Sequence, residues 1–178
     1  QGNNISGEII SKYEKPQKMY KKLKLSFREQ ETWSDGSNVW TKSGTMLEKT
    51  TGSDSISTLH EATLFLETKL PELGYNCKVL GKQNGMILMR ASAPFGKDII
   101  YYFDAESYLL KKSEYTEESE PAPMQITEKI ISYGTFGGLT LPEKKEIQTP
   151  MFTIKNNLSY EINPVFEENI FKPDKSEE

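Results

Sequence analysis

The sequence predicts an α+β fold, mainly β, in which a long curved antiparallel sheet wraps around one or two helices. Three observations lead there. Short alternating apolar runs recur at close intervals after residue 74, joined by tight-turn residues with no helical pattern between them, as in an antiparallel meander. Helical spacing is confined to the first 70 residues. The apolar inventory is thin, since Leu, Ile, Val and Phe make up 40 of 178 residues. A sheet with one apolar face needs no more than that. Nine Tyr, eight Phe and two Trp add large rings that enlarge a small core.

Taken in order, Ile5, Ile9, Ile10 and Tyr13 form a helical stripe that stops at Pro16. From Met19 the period becomes two, with Leu23, Leu25 and Phe27 on one side and Lys22, Lys24, Ser26 and Arg28 on the other. Asp35-Gly36 supplies a two-residue hairpin turn. That turn predicts Leu25 opposite Met46, Phe27 over Gly44 and Glu29 beside Lys42. Trp33 and Trp40 flank it. A second helix is expected through Ile56, Leu59, Leu64, Phe65, Leu66 and Leu70, ending near Pro71 and Gly74.

The meander then runs Tyr75–Gln83, Met86–Ala93 across Asn84-Gly85, Asp98–Phe103, Tyr108–Tyr115, Ile126–Tyr133, Leu139–Thr149 and Phe152–Ile162. Pro94-Phe95-Gly96-Lys97 and the acidic loop Thr116–Pro123 are connections. In all, the pattern amounts to about nine strands and two helices. One domain is expected over residues 1–173, followed by an acidic, frayed tail at 174–178.

The composition removes most catalytic chemistry. One His and one Cys exclude the usual zinc ligand sets, intramolecular disulfides and CxxC redox pairs. His60-Glu61 opens like a metalloprotease motif, but Leu64 stands where the second His belongs. His60 reads as a half-buried packing residue and Cys77 as a buried, inert thiol. Gly134, Gly137 and Gly138 precede a strand without a following Lys, so they mark a hairpin, not a phosphate loop. Asp98, Asp104 and Ser107 are explained by turn formation. No catalytic residue, metal site or cofactor is predicted. The net charge of −4 argues against nucleic acid as a partner, and no apolar run is long enough to span a membrane. The Lys12–Lys24 stretch, with only Glu14 opposing six lysines, reads as a solvated face. The two Asn-x-Ser sequons, at Asn4 and Asn157, occur at chance frequency.

Apolar residues that a curved sheet leaves uncovered would line a ligand site. The candidates are Leu25, Phe27 and Met46 from the first hairpin, Leu64 and Phe65 from the helix, and Met89, Tyr101 and Phe103 from the meander. Methionine suits such a surface because its side chain adapts to variable apolar shapes.

Several phrases resemble the periplasmic lipoprotein-carrier (LolA-like) superfamily, in particular its small secreted Bacteroidetes-type members. They are Leu73-Gly74-Tyr75 before Val79-Leu80-Gly81-Lys82, then Tyr101–Leu110 as strand, Asp104-Ala105-Glu106-Ser107 turn and strand, then Gly138-Leu139-Thr140-Leu141-Pro142. The closing run Tyr160-Glu161-Ile162-Asn163-Pro164, Phe166 and Phe171-Lys172-Pro173 belongs with them. The resemblance implies a half-open barrel with a helical lid, export across the inner membrane, and lipid or acylated protein held on the apolar inner face. Neither arginine, Arg28 or Arg90, sits in a family motif. The start at Gln1 without Met is consistent with removal of a secretory leader.

The expected function is therefore non-enzymatic: a periplasmic or otherwise exported envelope protein that binds a hydrophobic ligand, a lipid or acyl chain. One alternative is an envelope protein–protein interaction module with a filled core. A second is a carboxylate-based hydrolase.

Overall fold

The computed structural model describes residues 7–93, 97–117 and 122–174. It is mainly β and antiparallel, with one α-helix and two open sheets. The expected class holds, with twelve strands where the sequence pattern suggests about nine. They divide between a five-stranded and a seven-stranded sheet, each ordered as a meander. The chain forms two compact units, one from the residues up to Lys69 together with those from Val165 on, the other Leu70–Pro164.

In the first unit the sheet runs β1 (Gly7–Glu14), β2 (Lys18–Leu25), β3 (Arg28–Asp35), β4 (Val39–Ser43) and β5 (Met46–Thr50). The predicted N-terminal helix is β1. Ile9 and Tyr13 also satisfy period two, Ile9 pairing with Leu23 and Tyr13 with Met19, while Ile10 breaks it and lies on the other face opposite Lys22. So short a stripe fits a helix and, Ile10 apart, a strand, and the neighbouring β2 decides between them. Ile5 lies outside the described residues.

The first hairpin also differs from expectation. The run from Met19 reverses at Ser26-Phe27, so Leu25 pairs with Arg28 and Glu29 with Lys24. Asp35 does turn the chain, but its carboxylate accepts the amides of Ser37 and Asn38 and so holds a longer loop. The β3–β4 register is Glu31 opposite Lys42 and Trp33 opposite Trp40. Leu25 therefore does not face Met46, nor does Phe27 cover Gly44. Ser26-Phe27 lacks the Asn or Gly that a two-residue hairpin turn favours, so the reversal is not marked by that turn chemistry.

Met19, Val39 and Ser34 are fully buried on one face of this sheet. The helix α1 (Gly52–Glu61) contacts β4. It is tethered by Gln17, whose side-chain amide donates to Leu59 O at 3.0 Å and Thr63 Oγ1 at 3.3 Å. The predicted helix is thus cut short. The Leu59 carbonyl accepts from side chains, the Thr63 amide turns to His60 O, and Phe65 adopts a left-handed φ of 56°. Only a 3-10 turn follows at Leu66–Thr68. On the opposite face, Phe171 is buried, with Phe166 edge-on at 5.3 Å, the Lys18 ammonium over its ring, and Lys172 3.5 Å from Asp35.

The second unit is a meander in chain order: β6 (Asn76–Gln83), β7 (Met86–Ser92), β8 (Ile99–Asp104), β9 (Leu110–Glu117), β10 (Met124–Phe136), β11 (Leu139–Gln148) and β12 (Thr153–Asn157). These follow the predicted strands closely. Asn84 and Gly85 both have positive φ, as the favoured two-residue hairpin turn requires. The Asp104 turn is as expected, its carboxylate accepting the Glu106 and Ser107 amides and the Ser107 hydroxyl. Residues 94–96, Glu118, Glu120 and 175–178, which fall in predicted connections and the tail, lie outside the described residues, as does Asn4.

Candidate functional site

Directly paired residues share a face of a sheet, so the register sorts the seven-stranded sheet into two surfaces. One carries Ala91–Ile99–Tyr115–Ile126 in one row and Met89–Tyr101–Ser113–Glu128–Ile147 in the next. Ala91, Ile99, Tyr101 and Ile126 are buried there. The other face carries Arg90, Ile100 and Glu114 beside Leu88, Tyr102 and Lys112, a mixture of charge and carbon. The first surface is the apolar one.

Three of the eight sequence candidates meet on it. Met89 pairs with Tyr101, and the rings of Tyr101 and Phe103 stack at 6.0 Å. The other five lie in the first unit. Phe27 sits in the β2–β3 turn at 68% exposure, Met46 begins β5 at 62%, and Leu64 follows α1 at 45%. Leu25 and Phe65 are half-buried, at the end of β2 and in the left-handed turn after α1.

Each face of the seven-stranded sheet also holds a small charged network. On the mixed face, Lys112 Nζ lies 3.8 Å from the Tyr102 ring centroid and donates to Glu114 Oε1 at 2.8 Å, while Tyr102 OH donates to Glu114 Oε2 at 2.5 Å. The hydrogen bond to Glu114, reinforced by burial, pushes the Tyr102 hydroxyl up to about 12. On the apolar face, Lys97 Nζ lies 4.1 Å above the Tyr115 ring, and Tyr115 OH donates to Glu128 Oε1 at 2.8 Å. Lys145 forms an ion pair with the other oxygen of Glu128. Burial raises the Glu128 carboxyl, but the Lys145 charge and hydrogen bond, then Tyr115 and the Lys97 charge, together hold it below its ordinary value.

Sequence reasoning did not single out Lys97, Tyr115, Glu128 or Lys145. A signal existed, because Glu128 falls between Ile126 and Ile130 at the period of a buried face. That pattern marks a carboxylate pointing into apolar surroundings, which needs a partner.

His60 is half-buried, and burial lowers its pKa. Cys77 is exposed, contrary to expectation, because β6 is the edge of its sheet. Most of the Lys12–Lys24 run is engaged within its own unit. Lys12 lies over Tyr20, Lys18 pairs with Glu14, Lys21 with Glu61, and Lys22 with Glu29 and Glu31. Among the described residues no group of three or more metal-ligating side chains converges, and no helix is long and apolar enough to cross a membrane.

No protein-family model and no curated protein matches the sequence. Among solved structures, the chain is similar in fold to a DUF1329 family protein from Desulfovibrio piger, with a TM-score of 0.59 and 11% identity over 94% of this chain and 84% of that one.

Proposed function

We propose that this chain is a non-enzymatic, exported LolA-like protein of the cell envelope that binds a lipid or acyl chain along the apolar face of its seven-stranded sheet. The observation that carries this reading is the sorting of that sheet. Met89, Tyr101 and Phe103 form a contiguous apolar strip with Ile99 and Ile126, whereas the opposite face mixes Arg90, Lys112 and Glu114 with carbon. Ile99 and Tyr101 are covered in the structure, so an entering ligand exchanges one apolar contact for another. At about 25 cal/mol per Å² on both sides of that exchange, the net free energy is small and release is reversible.

The test is organic extraction of the purified protein followed by mass spectrometry, with titration of a fluorescent fatty acid in parallel. A co-purifying lipid and saturable binding are expected. Absence of both would sink the proposal. The same burial favours a second reading, an envelope interaction module whose apolar strip is permanent core. In that case no amphiphile changes the thermal stability, and a protein partner is captured in its place.

A further inference from the structure

The outer strands of an open sheet present backbone N–H and C=O groups on the side where no neighbour lies. Among the described residues these edges are β1 and β5 in the first unit, and β6 and β12 in the second. Three of the four carry features that discourage a further strand. β5 and β12 are five residues long, and β6 has a bulge between Val79 and Gly81 and carries Lys78 and Lys82 with no carboxylate. β1 has none of these. Its eight residues pair with β2 in unbroken register, and Ile9 and Ile10, on its two faces, are 50% and 42% exposed. A long, regular, apolar edge of this kind is a template for one more strand.

We propose that β1 pairs antiparallel with β1 of a second copy of the chain, about a two-fold axis through Ile10, so that two five-stranded sheets join into one. Charge selects this register. Outward-pointing backbone groups alternate along a strand, so the axis must pass through a residue and not between two. With Lys12 on the axis two lysines meet, and with Ser11 on it Glu8 meets Glu14 twice. With Ile9 on it, Glu8 is set against Ile10. With Ile10 on it, Glu8 of each copy faces Lys12 of the other, and Ile10 meets Ile10 between them. On the opposite face the two Ile9 side chains become diagonal neighbours. The charges near the edge leave this pairing open. Glu8 faces Lys24 across β1–β2 without an ion pair among the described residues, and Lys12 lies over the Tyr20 ring. Glu14 is engaged by Lys18, and Lys22, opposite Ile10, by Glu29 and Glu31. The proposal is independent of the lipid-binding reading, which concerns the second unit.

The experiment is sedimentation velocity of the full chain over a concentration series at neutral pH and low salt. A single strand edge is a small contact, so a reversible dimer with a dissociation constant of about 100 μM is expected. Glu8→Lys and Lys12→Glu should each weaken self-association about tenfold, because each sets like charges opposite one another on both sides of the axis. Mixed together, the two variants should dimerise again, since every charge then faces its opposite. Fluorescence of Trp33 and Trp40, in the same unit, checks that each variant is folded. A parent chain that stays monomeric up to about 500 μM would overturn the proposal. So would a dimer that neither exchange weakens, which uses another surface. Weakened variants that mixing does not rescue would overturn the register and the proposal with it.

Discussion

Glu128 is a carboxylate on the apolar face of a sheet, and its surroundings give the stability of the chain a pH dependence. Its side chain is 21% exposed, paired with Lys145 and bonded by the Tyr115 hydroxyl. The folded pKa lies below the ordinary value of 4.5. A depressed folded pKa contributes stability that is fully present above the unfolded value and is lost as pH falls through the folded one. Glu128→Gln should therefore cost about 2 kcal/mol at neutral pH, since it leaves the half-buried Lys145 without its counter-charge. The difference from the parent chain should shrink in urea unfolding as the pH is lowered from 5 toward 3. A gap that stays constant across that range would contradict the assigned role.

At the scale of elements, the hairpins differ in how much of their geometry local chemistry dictates. Asn84-Gly85 and Gly137-Gly138 both supply the positive φ angles of a two-residue turn, and β6–β7 and β10–β11 stand where the sequence predicts. Gly137 carries a second constraint. A Cβ there would come within 2.7 Å of Ile162 Cγ1, a branched position with little room to give, whereas one on Gly138 meets open space. Gly137→Ala should therefore destabilise the second unit by about 2 kcal/mol through overpacking and strain. Gly138→Ala should cost roughly 1 kcal/mol, from the backbone alone. Urea melts followed by far-UV circular dichroism compare the two, and equal losses would show that Ile162 yields. The first hairpin is the opposite case. Its true turn, Ser26-Phe27, has no Asn-Gly or Gly-Gly pair to mark it, so the strand pairing was legible only in the register of β2 with β3.

For the whole molecule, the first unit draws on both ends of the sequence. Phe171 is buried there and Lys172 pairs with Asp35, more than a hundred residues away in the chain. Both tryptophans, Trp33 and Trp40, lie in that unit's sheet, so tryptophan fluorescence reports its unfolding separately. A chain ending at Pro164 loses the Phe171 packing, at a cost of about 3 kcal/mol. Its fluorescence-detected urea midpoint should fall accordingly. An unchanged midpoint would mean that the Val165–Asp174 segment contributes nothing to the five-stranded sheet.

The sequence by itself determined the fold class, the strands from β6 to β11, and the turns at Asn84, Asp104 and Gly137. Each rests on local rules, the period of two and the φ angles that Asn, Asp and Gly permit. Tertiary structure decided that residues 7–14 form a strand, that α1 ends at Glu61, and that Cys77 lies at an exposed edge. Those outcomes depend on partners distant in the chain: β2 beside β1, Gln17 on the Leu59 carbonyl, and, among the described residues, no strand beyond β6. The same holds at the candidate site. Met89, Tyr101 and Phe103 could be placed on one face by alternation alone. Lys97, Tyr115, Glu128 and Lys145 come together only through the pairing of β8 to β11, because a charge on an apolar face is stable only when neighbouring strands bring it a partner.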